Sequence, residues 1–121
     1  MRLLEDVNLE SRRDVPAGLL SYAEQRALEI GITIAGGAHT ILLDEPTAGM
    51  SRTEANHAVD LIRRVTAGKT LVMVEHDMSV VFDLADVVTV LVYGRVIASD
   101  TPAAIRANRA VQEAYLGTGA Y

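Results

Sequence analysis

Apolar positions along this chain switch between two periods, and the switches mark its elements. Leu28, Ile32 and Ala35 share one helical face, which predicts a helix over Tyr22–Ala35 ended by Gly36 and Gly37. Thr40 to Leu43 is a continuous apolar run, the pattern of a strand buried on both faces, and a Pro-Thr-Ala-Gly loop follows it. Ala55, Ala58, Val59, Ile62 and Val65 return to helical spacing; Ser51 with Glu54 predicts a capping box at the start and Gly68 a stop. Thr70 to Val74 reads as a second buried strand, Met78 to Ala85 as a short helix, Val87 to Val92 as a third strand, and Val96 to Ala98 as a fourth after a turn at Gly94. Thr101 followed by Pro102 opens one or two closing helices towards Leu116. Met1 to Asp14 is charged and weakly helical, and Val15 to Gly18 breaks it. Strands separated by helices predict an α/β fold, a mostly parallel sheet flanked by helices with the hairpin around Gly94 as an antiparallel edge.

Composition narrows the classes. A chain of 121 residues, half of them hydrophobic and 22% charged, can build one small globular domain and is not a disordered segment. A net charge of -5, with no block of Lys or Arg, offers no electrostatic footprint for nucleic acid. The apolar runs fall far short of the roughly 20 residues that span a bilayer, so a membrane link runs through a partner. With no cysteine there is neither a disulfide framework nor a thiolate metal site.

The chemistry-bearing residues gather where strands are expected to end, which is where ligands collect in α/β sheets. Asp44 can hold Mg²⁺ directly or through water, and Glu45 beside it can polarise an attacking water. Alone, the pair also reads as a strand meeting solvent. His76 ends the next strand, where an imidazole could reach a terminal phosphate; alone, such a histidine is more often a capping or surface residue. Ser21 opens a helix whose first amides form an anion site, yet Ser21 with Glu24 is also a capping box.

Order and spacing join these residues. LSYAEQR at Leu20 to Arg26, ILLDEPTAGMS at Ile41 to Ser51 and VEHDM at Val74 to Met78 resemble the signature motif, the Walker B motif with its D-loop, and the switch histidine of ABC-transporter ATPases. The wording resembles most the branched-chain amino acid (LivG/LivF-like) ATP-binding subunits of bacterial uptake systems, with urea-type cassettes next. That resemblance implies a partial P-loop NTPase-like fold and ATP and Mg²⁺ as cofactors. It implies that Ser21, Ala23, Glu24 and Gln25 contact ATP held by an opposite subunit, with Ser21 on the γ-phosphate. It assigns Asp44 to Mg²⁺, usually through water, Glu45 to the hydrolytic water as general base, and His76 to sensing the γ-phosphate. Ala48, Gly49, Met50 and Ser51 become the D-loop at the dimer interface. The implied partners are a second ATPase subunit, identical or different, and transmembrane permease subunits, with the chain on the cytoplasmic face of the plasma membrane and no nucleic acid bound.

Departures from the family pattern carry information of their own. Ala23 stands where the signature usually has its second glycine, so a Cβ sits where backbone approaches phosphate. Ser51 replaces the commoner Asn or Asp, and LEIGITIA lacks the arginine of the frequent LEIARALA. No GxxxxGK[ST] phosphate cradle occurs; Gly68-Lys69-Thr70 follows a helix and enters a strand, and so reads as a helix stop. The expectation is therefore the C-terminal portion of one ABC ATPase domain, with residues 1–19 a remnant of the helical subdomain and 20–121 carrying the motifs. It looks like a truncated or split gene product, and whether a separate gene encodes the P-loop half stays open. Alone it is expected not to turn over ATP. The alternatives are a non-catalytic fragment that docks on a full cassette, a urea or amide importer cassette, and an ABC ATPase outside transport.

Overall fold

The helices form where their caps and periods place them. In the computed structural model, which describes residues 2–116, α1 (Arg2–Asp6) is followed by single helical turns at Glu10–Arg12 and Ala17–Leu19 and then by α2 (Tyr22–Ala35). Ser21 caps α2. Its hydroxyl accepts from the Glu24 amide at 3.1 Å while the Glu24 carboxylate accepts from the Ser21 amide at 2.9 Å, which satisfies donors that a helix start leaves without partners. Beyond its end, Gly37 has a φ of 74°, a left-handed conformation that glycine adopts without strain. β1 (Thr40–Asp44), α3 (Arg52–Val65), β2 (Thr70–Val74) and α4 (Met78–Leu84) follow. Then come β3 (Val88–Val92), β4 (Arg95–Asp100), α5 (Pro102–Ala107), α6 (Arg109–Val111) and a wide helical turn over Gln112–Leu116. Ser51 and Glu54 cap α3 with the same reciprocal bonds, at 3.2 and 3.1 Å. The expected stop at Gly68 also holds: its φ is 76° and the Lys69 amide donates back to Thr66 at 2.9 Å.

The chain divides into two compact units, Met1–Val80 and Val81–Tyr121. In the first, α1, α2 and α3 contact one another, and Val7, Leu9, Ile30, Ile41, Val59 and Ile62 are buried. A Cβ at Gly31 would lie 3.3 Å from Val7, so this glycine lets the segment after α1 come close to α2. β1 and β2 pair in parallel, from Thr40 with Thr70 to Asp44 with Val74. The Glu45 amide extends the ladder to the Val74 carbonyl at 2.7 Å. With the strands aligned, the loops after Asp44 and Val74 leave the same edge of the sheet.

One expectation fails in this unit. Read as strands buried on both faces, β1 and β2 instead leave Leu42 at 70%, Val72 at 51% and Val74 at 61% exposure. The alternation of the pleat turns these side chains away from Ile41, Leu43, Leu71 and Met73, and within this unit only one face of the pair is covered.

The second unit is built on the expected hairpin. β3 and β4 pair antiparallel from Val88 with Asp100 to Val92 with Arg95, with an irregularity beside Val90 and Leu91 that leaves Ile97 without a register partner. Tyr93 and Gly94, at φ 48° and 77°, make the two-residue turn that suits the twist of a hairpin. Val88, Ile105 and Val111 form its buried cluster, with Val81, Phe82, Ala85, Val90 and Ala98 against it. The Arg106 guanidinium lies 4.5 Å from the Phe82 ring centre, and the Tyr115 hydroxyl donates to the Leu91 carbonyl. The hairpin ladder is a two-stranded sheet of its own where an antiparallel edge of the parallel sheet was expected: β3 and β4 pair with each other and with no other described strand. The class remains α/β, with one parallel and one antiparallel pair.

Candidate functional site

The parallel register brings together two residues far apart in sequence. His76 Nδ1 lies 3.1 Å from Glu45 Oε1 and 3.5 Å from Glu75 Oε1. A carboxylate only accepts, so Nδ1 carries the hydrogen in this arrangement and Nε2 is left for an outside group. His76 lies two residues beyond the end of β2 rather than closing it.

Glu45 is held in an uncommon backbone conformation. Its φ is 47°, which costs a non-glycine residue about 1–3 kcal/mol, and the following Pro46 further restricts it. Three contacts hold it there. Its amide donates to Val74, its side chain meets His76, and Arg26 Nη2 donates to the carbonyls of Asp44 at 3.2 Å and Glu45 at 3.0 Å. Neither Arg26 nor the buried Glu75 stands out as a site residue from spacing; only the fold places them here.

The remaining expected residues lie near by in less committed settings. Asp44 ends β1 with an exposed side chain. A pocket of about 220 Å³ between α2 and β1 includes Asp44, Arg26, Glu29 and Thr33 but neither Glu45 nor His76, and small-molecule sites usually hold about 300–1,000 Å³. Among the described residues no three acidic, histidine or cysteine side chains are arranged to hold a metal ion between them. A single exposed carboxylate suits an ion that keeps its water and takes its other ligands from phosphate. Ser21 lends its oxygen to the α2 cap, but its O–H can still donate, and the amides of Tyr22 and Ala23 have no intrahelical acceptor. Glu24 and Gln25 are used internally. Glu24 completes the cap and meets Arg12 at 2.9 Å, and Gln25 donates to the Ala17 carbonyl at 3.1 Å. Ala48 to Ser51 form the turn into α3, with Gly49 at φ 76° and a Cβ position 3.6 Å from the Tyr22 ring.

Hydrogen bonds set the local charge states. The Ser21 amide holds the Glu24 carboxyl below its ordinary range, and the Ser51 amide does the same for Glu54. The Ser79 hydroxyl, 2.6 Å from Asp77, holds that carboxyl down at the start of α4. Each favours the ionised form.

The sequence profile of the family described as "Branched-chain amino acid ATP-binding cassette transporter" matches residues 95–121. The chain is 37% identical over 116 residues to the high-affinity branched-chain amino acid transport ATP-binding protein BraF of Pseudomonas aeruginosa, covering 94% of this chain and 46% of that protein. It is 34% identical to LivG of Escherichia coli, a protein of the same description, with the same coverage. Among solved structures, MJ1267, an ATP-binding cassette of an ABC transporter in its ADP conformation, superposes with a TM-score of 0.85 at 27% identity, over 96% of this chain and 48% of that one. The chain therefore spans about half the length of the curated relatives it matches.

Proposed function

The chain is a relative of the ATP-binding cassettes of branched-chain amino acid ABC transporters, and on that premise we propose that it supplies the hydrolytic part of a cassette ATPase in an importer of hydrophobic amino acids. The observation that carries the proposal is the contact of Glu45 with His76 at the common edge of two parallel strands. Glu45 is the general base: its carboxylate orients a water and takes its proton, and Nδ1–H of His76 holds that carboxylate in place. His76 then turns Nε2 to the terminal phosphate that this water attacks; the new P–O bond forms as the bond to the ADP oxygen breaks, and ADP leaves. Asp44 would hold Mg²⁺ through water, and the ion would supply charge neutralisation on the phosphates. Ser21 with the first amides of α2 faces the phosphates of a nucleotide bound by a second cassette, and Ala48 to Ser51 meet that cassette. The phosphate cradle comes from a P-loop-bearing partner segment of a cassette, and permease subunits anchor the assembly at the inner face of the membrane. Among the described residues no helix is long and apolar enough to cross a membrane.

The test is ATP turnover with and without a partner that carries GxxxxGK[ST]. The chain alone is expected to give none above background. With the partner, Glu45→Gln is expected to lower kcat by roughly 10²–10⁴-fold. Turnover that persists unchanged in Glu45→Gln would overturn the proposal. It would favour the second reading, a non-catalytic module docked on a complete cassette, for which the open apolar face at Leu42, Val72 and Val74 speaks.

A further inference from the structure

We infer that Glu75 is a positioning residue that ties the turn after Glu45 to the loop carrying His76. Its side chain is 0% exposed, and a carboxylate so placed needs a full set of donors. It has them, divided between two segments. Oε2 accepts from the Thr47 amide at 3.3 Å and the Thr47 hydroxyl at 2.8 Å. Oε1 accepts from the amides of His76 at 3.0 Å and Asp77 at 3.4 Å. Thr47 is itself buried, so water does not stand in for a lost partner there.

The consequence is geometric. Thr47 lies two residues beyond Glu45, and His76 adjoins Glu75. One carboxylate therefore fixes the spacing of the two loops that carry Glu45 and His76. The same oxygen that receives the His76 amide lies 3.5 Å from His76 Nδ1, so Glu75 also biases the ring orientation. A displacement of Ala48 to Ser51 by a contacting protein passes through Thr47 and Glu75 to His76, with no direct contact between that protein and the histidine. An acceptor-only side chain is required: a glutamine would turn an amide N–H₂ towards one pair of donors.

The catalytic meaning of this tie rests on the reading of Glu45 and His76 given above, while the tie itself is measurable without nucleotide. In the 121-residue chain, amide hydrogen exchange and the His76 ring signals are compared by NMR for the parent, Glu75→Gln and Thr47→Val. Glu75→Gln is expected to raise exchange at Thr47, His76 and Asp77 roughly tenfold, as for the loss of one charge-assisted hydrogen bond, while Val59 and Ile62 in α3 stay protected. Thr47→Val removes a donor and leaves Glu75 in place; it is expected to shift the His76 ring signals although residue 47 has no bond to His76. Should Glu75→Gln unfold the chain, Thr47→Val decides. Ring signals unchanged in Thr47→Val would overturn the inference and leave Glu75 as a structural carboxylate only.

Discussion

The two strand pairs of this molecule are built alike in size and differ in what they need from outside. β3 and β4 are joined by Tyr93 and Gly94 alone, and their inner face closes on Ile105 and Val111, which follow within the same short stretch of chain. β1 and β2 are joined through α3, in parallel, and they leave Leu42, Val72 and Val74 open. Parallel pairs are ordinarily covered on both faces, because their crossovers lie on the faces. The less complete sheet is the one that carries the residues proposed to act in hydrolysis. Its carboxyl edge gathers Asp44, Glu45, Glu75 and His76, while the self-contained hairpin unit holds none of the residues assigned to hydrolysis.

Measurement can test this contrast. The largest stability effects are expected in the cores: Ile62→Ala and Ile105→Ala, both nearly inaccessible, should each cost about 2–5 kcal/mol. Hydrogen exchange should localise the first loss to residues 1–80 and the second to 81–121. Equal loss of protection throughout after either substitution would make the chain one cooperative unit.

A smaller effect is expected at the α3 cap. Ser51→Ala should cost about 1 kcal/mol, read by urea denaturation. The same cap predicts the pH response. Glu54 and Glu24 have folded values lowered from an ordinary 4.5. Their contribution is therefore full above that value and lost as pH falls through the lowered folded values. Acidification below about pH 4.5 should raise exchange in the first turns of α2 and α3, and Ser51→Ala should weaken that dependence in α3. A stability that rises on acidification through this window would contradict the cap geometry.

The smallest effect is expected on the open face. Val72→Thr keeps the β-branched shape and should change the stability of the isolated chain by less than about 0.5 kcal/mol. A cost well above that would mean that the face is covered in solution, and a concentration dependence of the unfolding midpoint would identify a second copy as the cover.

Helices, caps and most strand limits were legible because each is written over a few neighbouring residues, although the fourth strand runs Arg95–Asp100 where Val96 to Ala98 was expected. Ser51 with Glu54, Thr101 with Pro102, and the glycine at Gly68 need no distant contact to act. The hairpin was legible as a hairpin for the same reason, though Tyr93 in a left-handed conformation was not, since nothing in a tyrosine advertises it. Burial of β1 and β2 was misjudged because an apolar run states what a strand could bury and says nothing of what arrives to cover it.

Element order, the reciprocal caps and the family likeness of LSYAEQR, ILLDEPTAGMS and VEHDM follow from residues that are neighbours in the chain. The meeting of Glu45 with His76, the hold of Arg26 on the carbonyls of Asp44 and Glu45, and the burial of Glu75 between Thr47 and the histidine loop arise only on folding. The Glu45–His76 and Thr47–Glu75 contacts depend on the register of two parallel strands, and those of Arg26 on the approach of α2 to the end of β1. Register is a relation between distant segments, which local periodicity does not encode.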